Sequence, residues 1–326
     1  MSKHSLRVGL ELELLAPSGR TRFDFAQAVA RQVKGRVEYR LHYHGEGHLP
    51  SGLPNCVLTR GARVLDANDT WLIDVVDDIT IDVPGSREKT WLGRIDDVRL
   101  ALLAESVSAS ESPNPMKLLR HFTQRLRGSW ADETLLVDRV GHTLLKLEET
   151  PVSRLRVCEV VTRPLKGPER NEVVTLLLAT AKRLAFQIPR AAAMHAHYDA
   201  KPFATTARLQ SLILEFSAQR QAIWQLLEPN RHCKRLGPFN DLVQRVARET
   251  DPTQVSFSTF ATALQMAGAT KYCDLNILGA IERFPRHPTV ELRCLPVDFS
   301  AQATLDRLDA ADEILRRCAH LPSRLR

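Results

Sequence analysis

Short segments in which apolar and polar residues alternate recur along the whole of this sequence. In the first, VGLELELL, Val8 and Leu10 share one face of a strand while Glu11 and Glu13 share the other, because successive strand side chains point in opposite directions. Further segments of this kind lie at about 71–83, 154–162, 191–200 and 289–297. Strands with one apolar and one polar face predict a mostly antiparallel sheet that is covered on one side only.

Segments with helical periodicity separate these strands. Patterns of this type lie at about 95–106, at 115–128, at 167–187 and in the closing segment at 300–320, where Ser300 can cap the helix. We therefore predict an α+β fold, in which helices back one face of a curved sheet and the other face lines a cleft. The prediction treats residues 1–326 as a single domain.

The composition is that of a folded, non-membrane protein. Hydrophobic residues make up 44% of the 326 residues and charged residues 25%. The sequence contains no run of about 18 uncharged apolar residues and no hydrophobic secretion signal, so we expect a cytoplasmic protein without a membrane span. Its six cysteines are scattered without a CxxC pair, which favours reduced thiols over disulfides or a zinc site.

The net charge favours an anionic partner. A formal charge of +7 and a pI near 9.2 would suit nucleotide phosphates, and they would also suit a basic nucleic-acid-binding protein without catalysis. Aromatic residues amount to only 6%, and the arginines are dispersed. Nucleic-acid binding is therefore the weaker alternative.

Groups that carry chemistry recur on the polar faces of the predicted strands: Glu11, Glu13, Asp74, Asp78, Glu159, His195, His197, Glu291 and Arg293. Each one alone is typical of a solvated face. Together, the carboxylates and a histidine are typical of a Mg²⁺ or Mn²⁺ site, and arginines nearby would neutralise phosphate oxygens. This combination suits phosphoryl transfer. The GxxxxGK[ST] loop and the GxSxG elbow are absent, which argues against a P-loop enzyme and an α/β-hydrolase.

Seven motifs in a fixed order carry a family resemblance: VGLELEL, WLIDVVDDITI, RVCEVVTRPL, AMHAHYDA, LLEPNRHCKRL, KYCDLNI and TVELRC. Over residues 6–297 the chain resembles the amidoligase family of the carboxylate–amine ligase and glutamine synthetase-like superfamily. The resemblance implies a curved antiparallel sheet whose concave face holds ATP and two or three Mg²⁺ ions, with Mn²⁺ as a substitute. It also implies a ligase that joins a small-molecule or peptide carboxylate to an amine through an acyl-phosphate.

The resemblance also implies roles for individual residues. The implied metal ligands are Glu11, Glu13, Glu159, Glu291 and His197. The implied catalytic residues are Arg293, which would stabilise the transferring phosphoryl group, Glu159 at the metal, and Asp78, for which we expect a role in taking the proton of the amine. The implied ATP or substrate contacts are His195, His197, Lys271, Tyr272, Asn276 and Arg231.

The chain departs from the family pattern at a few positions. Met194 replaces a glycine, Ala196 replaces a valine, Arg163 replaces a proline, and Lys271 replaces an arginine and so loses a bidentate fork. None of these changes removes a proposed ligand. An alternative within the same fold is a phosphotransferase that stops at a phosphorylated product.

Overall fold

Alternating β-strands and helices make up the computed structural model of the chain, which describes residues 6–44, 56–78, 81, 89–95, 128–131, 135–151, 155–282 and 288–320. Apart from Ile95 and Gly128, the helices predicted at 95–106 and 115–128 lie outside these ranges.

The strands, in chain order, are β1 (Val8–Leu15), β2 (Arg36–His44), β3 (Cys56–Leu65), β4 (Trp71–Val76), β5 (Lys89–Ile95), β6 (Ser129–Trp130), β7 (Leu135–Val137), β8 (Thr143–Pro151), β9 (Val157–Thr162), β10 (Met194–Asp199), β11 (Leu275–Asn276) and β12 (Thr289–Leu295).

The helices are α1 (Arg22–Gln32), α2 (Gly167–Arg183), α3 (Thr206–Ala218), α4 (Arg220–Leu227), α5 (Asp241–Glu249), α6 (Phe257–Met266), α7 (Leu278–Ile281) and α8 (Ala301–His320), with a short 3-10 turn at Lys201–Phe203. This content and the antiparallel strand pairs below confirm the predicted α+β class with a mostly antiparallel sheet. No described helix is both long and apolar enough to cross a membrane.

The chain divides into two compact units. The first unit consists of Met1–Glu13, Thr162–Ala179 and Ile188–Arg326, and the second of Leu14–Val161 and Thr180–Gln187. Each is described by itself below.

In the first unit, four strands lie in the order β11-β12-β10-β1. All three of the pairs that this order contains are antiparallel. Their apolar faces are fully buried, as Leu10, Tyr198 and Leu292 show with 1% exposure or less. Helices α4 and α7 pack against β12, while α8 packs against α3 and α4. The core of this unit therefore lies on the apolar side of the strands.

Polar side chains set the starts of several helices in this unit. Thr205, Asn240, Ser256 and Ser300 each accept a hydrogen bond from the backbone N–H three residues further on. These contacts satisfy N–H groups that have no partner within the helix. The closing helix thus begins after Ser300, at the predicted position.

The second unit is centred on β3. β2 pairs with β3 over its full length, while β4 pairs with residues 62–65 and β5 with residues 56–58. Helix α1 packs against β2, β3 and β4 and buries Phe25, Ala26 and Val29. The interior of this unit therefore lies between α1 and these strands.

Two segments of the second unit differ from the prediction. The strand predicted at 71–83 ends at Val76 within the described residues, because the buried carboxylates of Asp77 and Asp78 follow it and aspartate is a poor strand former. The glycines and prolines of residues 36–55 predict a short strand followed by a loop, whereas the strand observed there, β2, has nine residues. Long-range pairing with β3 outweighs the local composition there.

A buried ion pair stabilises the first unit. Arg170 on α2, 2% exposed, donates to the carboxylates of Asp309 and Asp312 on α8, the latter at 3.1 Å. Asp312 is 1% exposed and also accepts a hydrogen bond from the N–H of Leu6 at 3.1 Å. Burial raises the pKa of Asp312 to about 6 even though Arg170 acts in the opposite direction.

We expect Arg170→Met to lower the free energy of unfolding by about 3–5 kcal/mol at pH 8, because it leaves a buried carboxylate without its partner. The loss should be smaller at pH 5, where Asp312 can take up a proton and become neutral. Denaturant unfolding at both pH values measures this. Arg317→Met is the matched control, since its pair with Glu215 is largely exposed and is worth at most about 1 kcal/mol. Equal losses in both variants would contradict the prediction.

Candidate active site

The strand register of the first unit brings the polar side chains together. In the β1–β10 pair, Glu11 lies opposite His195, and Gly9 lies opposite His197. In the β10–β12 pair, His197 lies opposite Glu291. Directly opposed residues of antiparallel strands have their Cβ atoms about 4.5–5.5 Å apart and on the same face. Three strands that are far apart in sequence thus place carboxylates and imidazoles side by side.

Two histidines link two carboxylates at the centre of this face. His195 Nδ1 lies 3.1 Å from Glu11 Oε2 and 3.3 Å from Glu291 Oε1. His197 Nε2 lies 3.1 Å from Glu11 Oε1 and 3.8 Å from Glu291 Oε1. His195 and Glu291 are buried, whereas Glu11 and His197 are partly exposed. The cluster is therefore buried at His195 and Glu291 and partly open to solvent at Glu11 and His197.

Two neighbours hold Glu291 in place. Asn276 on β11 donates to its Oε2 at 2.7 Å, and Arg293 donates to its Oε1. Arg293 is 7% exposed, and its buried Nε has no acceptor among the described residues. Buried donors usually have a partner, so this N–H could donate to an oxygen of a bound anion.

The electrostatics of the cluster favour charged groups. Burial alone would raise the pKa of Glu11 and Glu291, but the charge of His197 and the contacts of both histidines outweigh it and lower both values, that of Glu11 to well below its ordinary range. Burial alone would lower the pKa of His197, but Glu11 and Glu291 raise it to about 9. Without a ligand, the cluster is thus an imidazolium between carboxylates.

The same side chains fit a divalent cation. Glu11, His197 and Glu291 each offer one ligand atom, and the three atoms lie within 4.8 Å of one another. Carboxylate oxygens with one imidazole suit Mg²⁺ or, better, Mn²⁺. A histidine binds metal only when neutral, so binding there would release the proton of His197.

Glu13 has different surroundings from Glu11. Its carboxylate is 1% exposed and accepts hydrogen bonds from the N–H of Ala193 at 2.8 Å and from Nη2 of Arg235 at 2.6 and 2.8 Å. His195 Nε2 lies 3.9 Å away. In the basic run RHCKR the family resemblance pointed to Arg231 and not to Arg235, because the sequence does not show which cation of the run contacts Glu13.

Asp274 is a second residue that our sequence analysis did not single out. Its carboxylate, 4% exposed, accepts from Arg220 Nε at 2.6 Å, from Trp224 Nε1 at 2.7 Å and from the N–H of Gly237 at 3.0 Å. Its backbone carbonyl accepts from the N–H of Arg293. Asp274 therefore ties α4 and the segment that follows Arg235 to β12.

Two predicted site residues belong to the second unit. Glu159 is half-buried on β9, and Asp78 is 5% exposed just after β4. Both lie near Cys158, whose thiol pKa is raised chiefly by burial and further by these carboxylates and Asp77, against the effect of Arg22. Their roles at a metal or an amine stay predictions.

Three predicted contact residues lie in irregular segments of the first unit. Lys271 Nζ lies 5.5 Å from the ring centroid of Tyr272, and this ring is 55% exposed. Arg231 is exposed in the turn after α4. Their predicted contacts with nucleotide or substrate stay predictions.

The family described as "Putative amidoligase enzyme" matches residues 4–309. The chain belongs to the amidoligase family. This membership confirms the family inferred from the motifs and indicates a ligase as the class of enzyme. No curated protein and no solved structure matches this amidoligase-family chain.

We expect the imidazole of His197 to titrate near pH 9 in metal-free protein, because Glu11 and Glu291 stabilise its charged form. A histidine pKa raised on folding contributes stability that is complete below about pH 6.5 and is lost as the pH rises through about 9. NMR titration of the histidine ring signals in EDTA, assigned with His197→Asn, measures it. His142, whose side chain is 80% exposed, provides the reference signal. A His197 titration near pH 6.5 would contradict the prediction.

Proposed function

We propose that this protein is an ATP-dependent carboxylate–amine ligase that requires Mg²⁺ or Mn²⁺ and works through an acyl-phosphate. The observation that carries the proposal is the convergence of Glu11, His197 and Glu291 beside Arg293 in a chain of the amidoligase family. A glutamine synthetase-like arrangement of the sheet and two or three metal ions belong to the same proposal. Its substrates would be a small-molecule or peptide carboxylate and an amine.

The residues of the cluster would have separate roles in the reaction. Glu11, Glu291 and neutral His197 would hold the metal, which supplies charge neutralisation at the phosphate oxygens when bound. His195 and Asn276 contact these carboxylates and would fix their orientation. Arg293 would stabilise the phosphoryl group in transfer through its guanidinium.

The chemistry proceeds in two displacements. The substrate carboxylate oxygen attacks the γ-phosphorus of ATP, which forms the acyl-phosphate and releases ADP. The amine nitrogen then attacks the acyl carbon, so that the C–O bond breaks and inorganic phosphate leaves. The amine loses a proton in this step, and we assign its acceptance to Asp78. Glu159 would add a metal-ligating carboxylate.

The remaining predicted contacts would bind the nucleotide or substrate. Tyr272 offers an exposed aromatic ring, and Lys271 lies over it. Such a pair suits a planar base next to a phosphate. Arg231, exposed in the turn after α4, would contact a phosphate or a substrate carboxylate.

Product analysis tests the reaction class. The protein is incubated with MgATP and pooled carboxylates and amines, and products are identified by mass spectrometry. A ligase gives an amide with equal amounts of ADP and phosphate. A phosphorylated carboxylate or alcohol that accumulates without amide would instead identify a phosphotransferase and overturn the proposal.

With the substrate pair found in this way, Glu11→Gln should lower metal-dependent ADP formation by at least about 100-fold, because it removes a charged ligand from the proposed metal site. A coupled ADP assay at saturating ATP measures the rate. The matched control is Glu172→Gln, an exposed position on α2. Glu11→Gln with the activity of this control would contradict the metal assignment.

A further inference from the structure

Glu13 is engaged as a hydrogen-bond acceptor on both of its oxygens. Oε2 accepts from the N–H of Ala193 at 2.8 Å and from Nη2 of Arg235 at the same distance, while Oε1 accepts from Nη2 at 2.6 Å. The side chains of Glu13 and Arg235 are 1% and 23% exposed. The carboxylate is therefore enclosed, while the side chain of Arg235 is partly exposed.

Glu11 contrasts with Glu13 although the two share a strand face. Its side chain is 23% exposed, and its oxygens contact the rings of His195 and His197. Within the first unit, the described ligand atoms that converge for a cation come from Glu11, His197 and Glu291 and do not include Glu13.

Arg235 lies next to the cluster formed by Glu11, His197 and Glu291. Glu13 Oε1, which accepts its hydrogen bond, is 3.9 Å from His195 Nε2, and the other nitrogen of this ring is 3.1 Å from Glu11. A guanidinium carries five N–H donors in one plane and matches the geometry of carboxylate and phosphate groups. A carboxylate that fixes such a group reduces the entropy lost when an anion binds.

We propose that Glu13 is a positioning residue and not a metal ligand: it holds Arg235 so that the guanidinium binds an oxyanion beside the Glu11–His197–Glu291 cluster. The identity of this oxyanion, a nucleotide phosphate or the substrate carboxylate, rests on the proposed function. The role of Glu13 does not, because it follows from the contacts of Glu13 and Arg235.

The first measurement separates metal binding from positioning. Calorimetric titration with Mn²⁺ alone should give Glu13→Gln and Arg235→Met affinities within about threefold of the unmodified protein, whereas Glu11→Gln should lose at least about tenfold. A Glu13→Gln variant that loses Mn²⁺ affinity as Glu11→Gln does would overturn the proposal.

The second measurement tests the anion. Binding of inorganic phosphate, a nonhydrolysable ATP analogue and succinate is measured without metal. Glu13→Gln and Arg235→Met should each weaken the anion that Arg235 binds by at least about tenfold, and the double variant should be no weaker than Arg235→Met. Weaker binding of the ATP analogue and of phosphate in these variants identifies the anion as a nucleotide phosphate. Weaker binding of succinate alone identifies it as the substrate carboxylate. If no anion depends on Arg235, the proposal is wrong.

Two further variants show whether a loss of anion binding is specific to the guanidinium of Arg235. Arg235→Lys keeps the positive charge and should recover part of the anion affinity, while Arg245→Met, at an exposed position on α5, should leave it unchanged. Circular dichroism establishes folding, and if Glu13→Gln does not fold, Arg235→Met and Arg235→Lys still decide whether the guanidinium binds an anion. Both measurements are made without turnover, so a missing ligase activity would overturn the proposed function and leave these results interpretable.

Discussion

The register of three antiparallel strands is the constraint on which the candidate site depends. β1, β10 and β12 pair so that Glu11 faces His195 and His197 faces Glu291. Because strand side chains alternate, a slip of one residue in either pair would move these groups to the apolar face and bring buried leucines to the polar one. Burial of the apolar face, where Leu10 and Leu292 are almost fully enclosed, therefore fixes the position of the charged groups. The core and the site are determined by the same pairing.

Glu291 and its neighbours carry opposite charges, and burying one of these charges without the other would cost free energy. Glu291 is buried, yet burial is outweighed by His197, His195 and Arg293, which lower its pKa. A buried carboxylate with these partners stays ionised and can accept hydrogen bonds from Asn276 and Arg293 at the same time. The arrangement keeps negative charge in a low-dielectric region, where its attraction for a cation is strongest. Asp274 lies outside the cluster but supports it, because its backbone carbonyl accepts a hydrogen bond from the N–H of Arg293.

The alternation of residue types was sufficient to predict which side chains share a polar face. Glu11, His195, His197 and Glu291 were predicted in this way, since parity along a strand depends only on local geometry. The order of strands in space could not be obtained from the pattern, because pairing joins residues 184 apart, such as Glu11 and His195. Arg235 and Asp274 lie in segments without periodicity, so their contacts arise only from the folded chain. The length of β2 was underestimated for the same reason, as its partner β3 lies beyond a segment rich in glycine and proline.

The placement of the cluster on β1, β10 and β12 also has a consequence for biosynthesis. The ribosome releases Glu11 well before Glu291, so β10 gains the edge of β12 only after the long segment between β10 and β12 has been made. Until then the apolar face of β1 has only part of its partners, and contacts over such sequence distances form slowly. The nascent chain therefore carries an incomplete sheet until β12 has been released, which is the state in which exposed strands aggregate. The Glu11–His197–Glu291 cluster is complete only after β12 has paired, so any ligand that binds there would stabilise the final step of folding and not an early one.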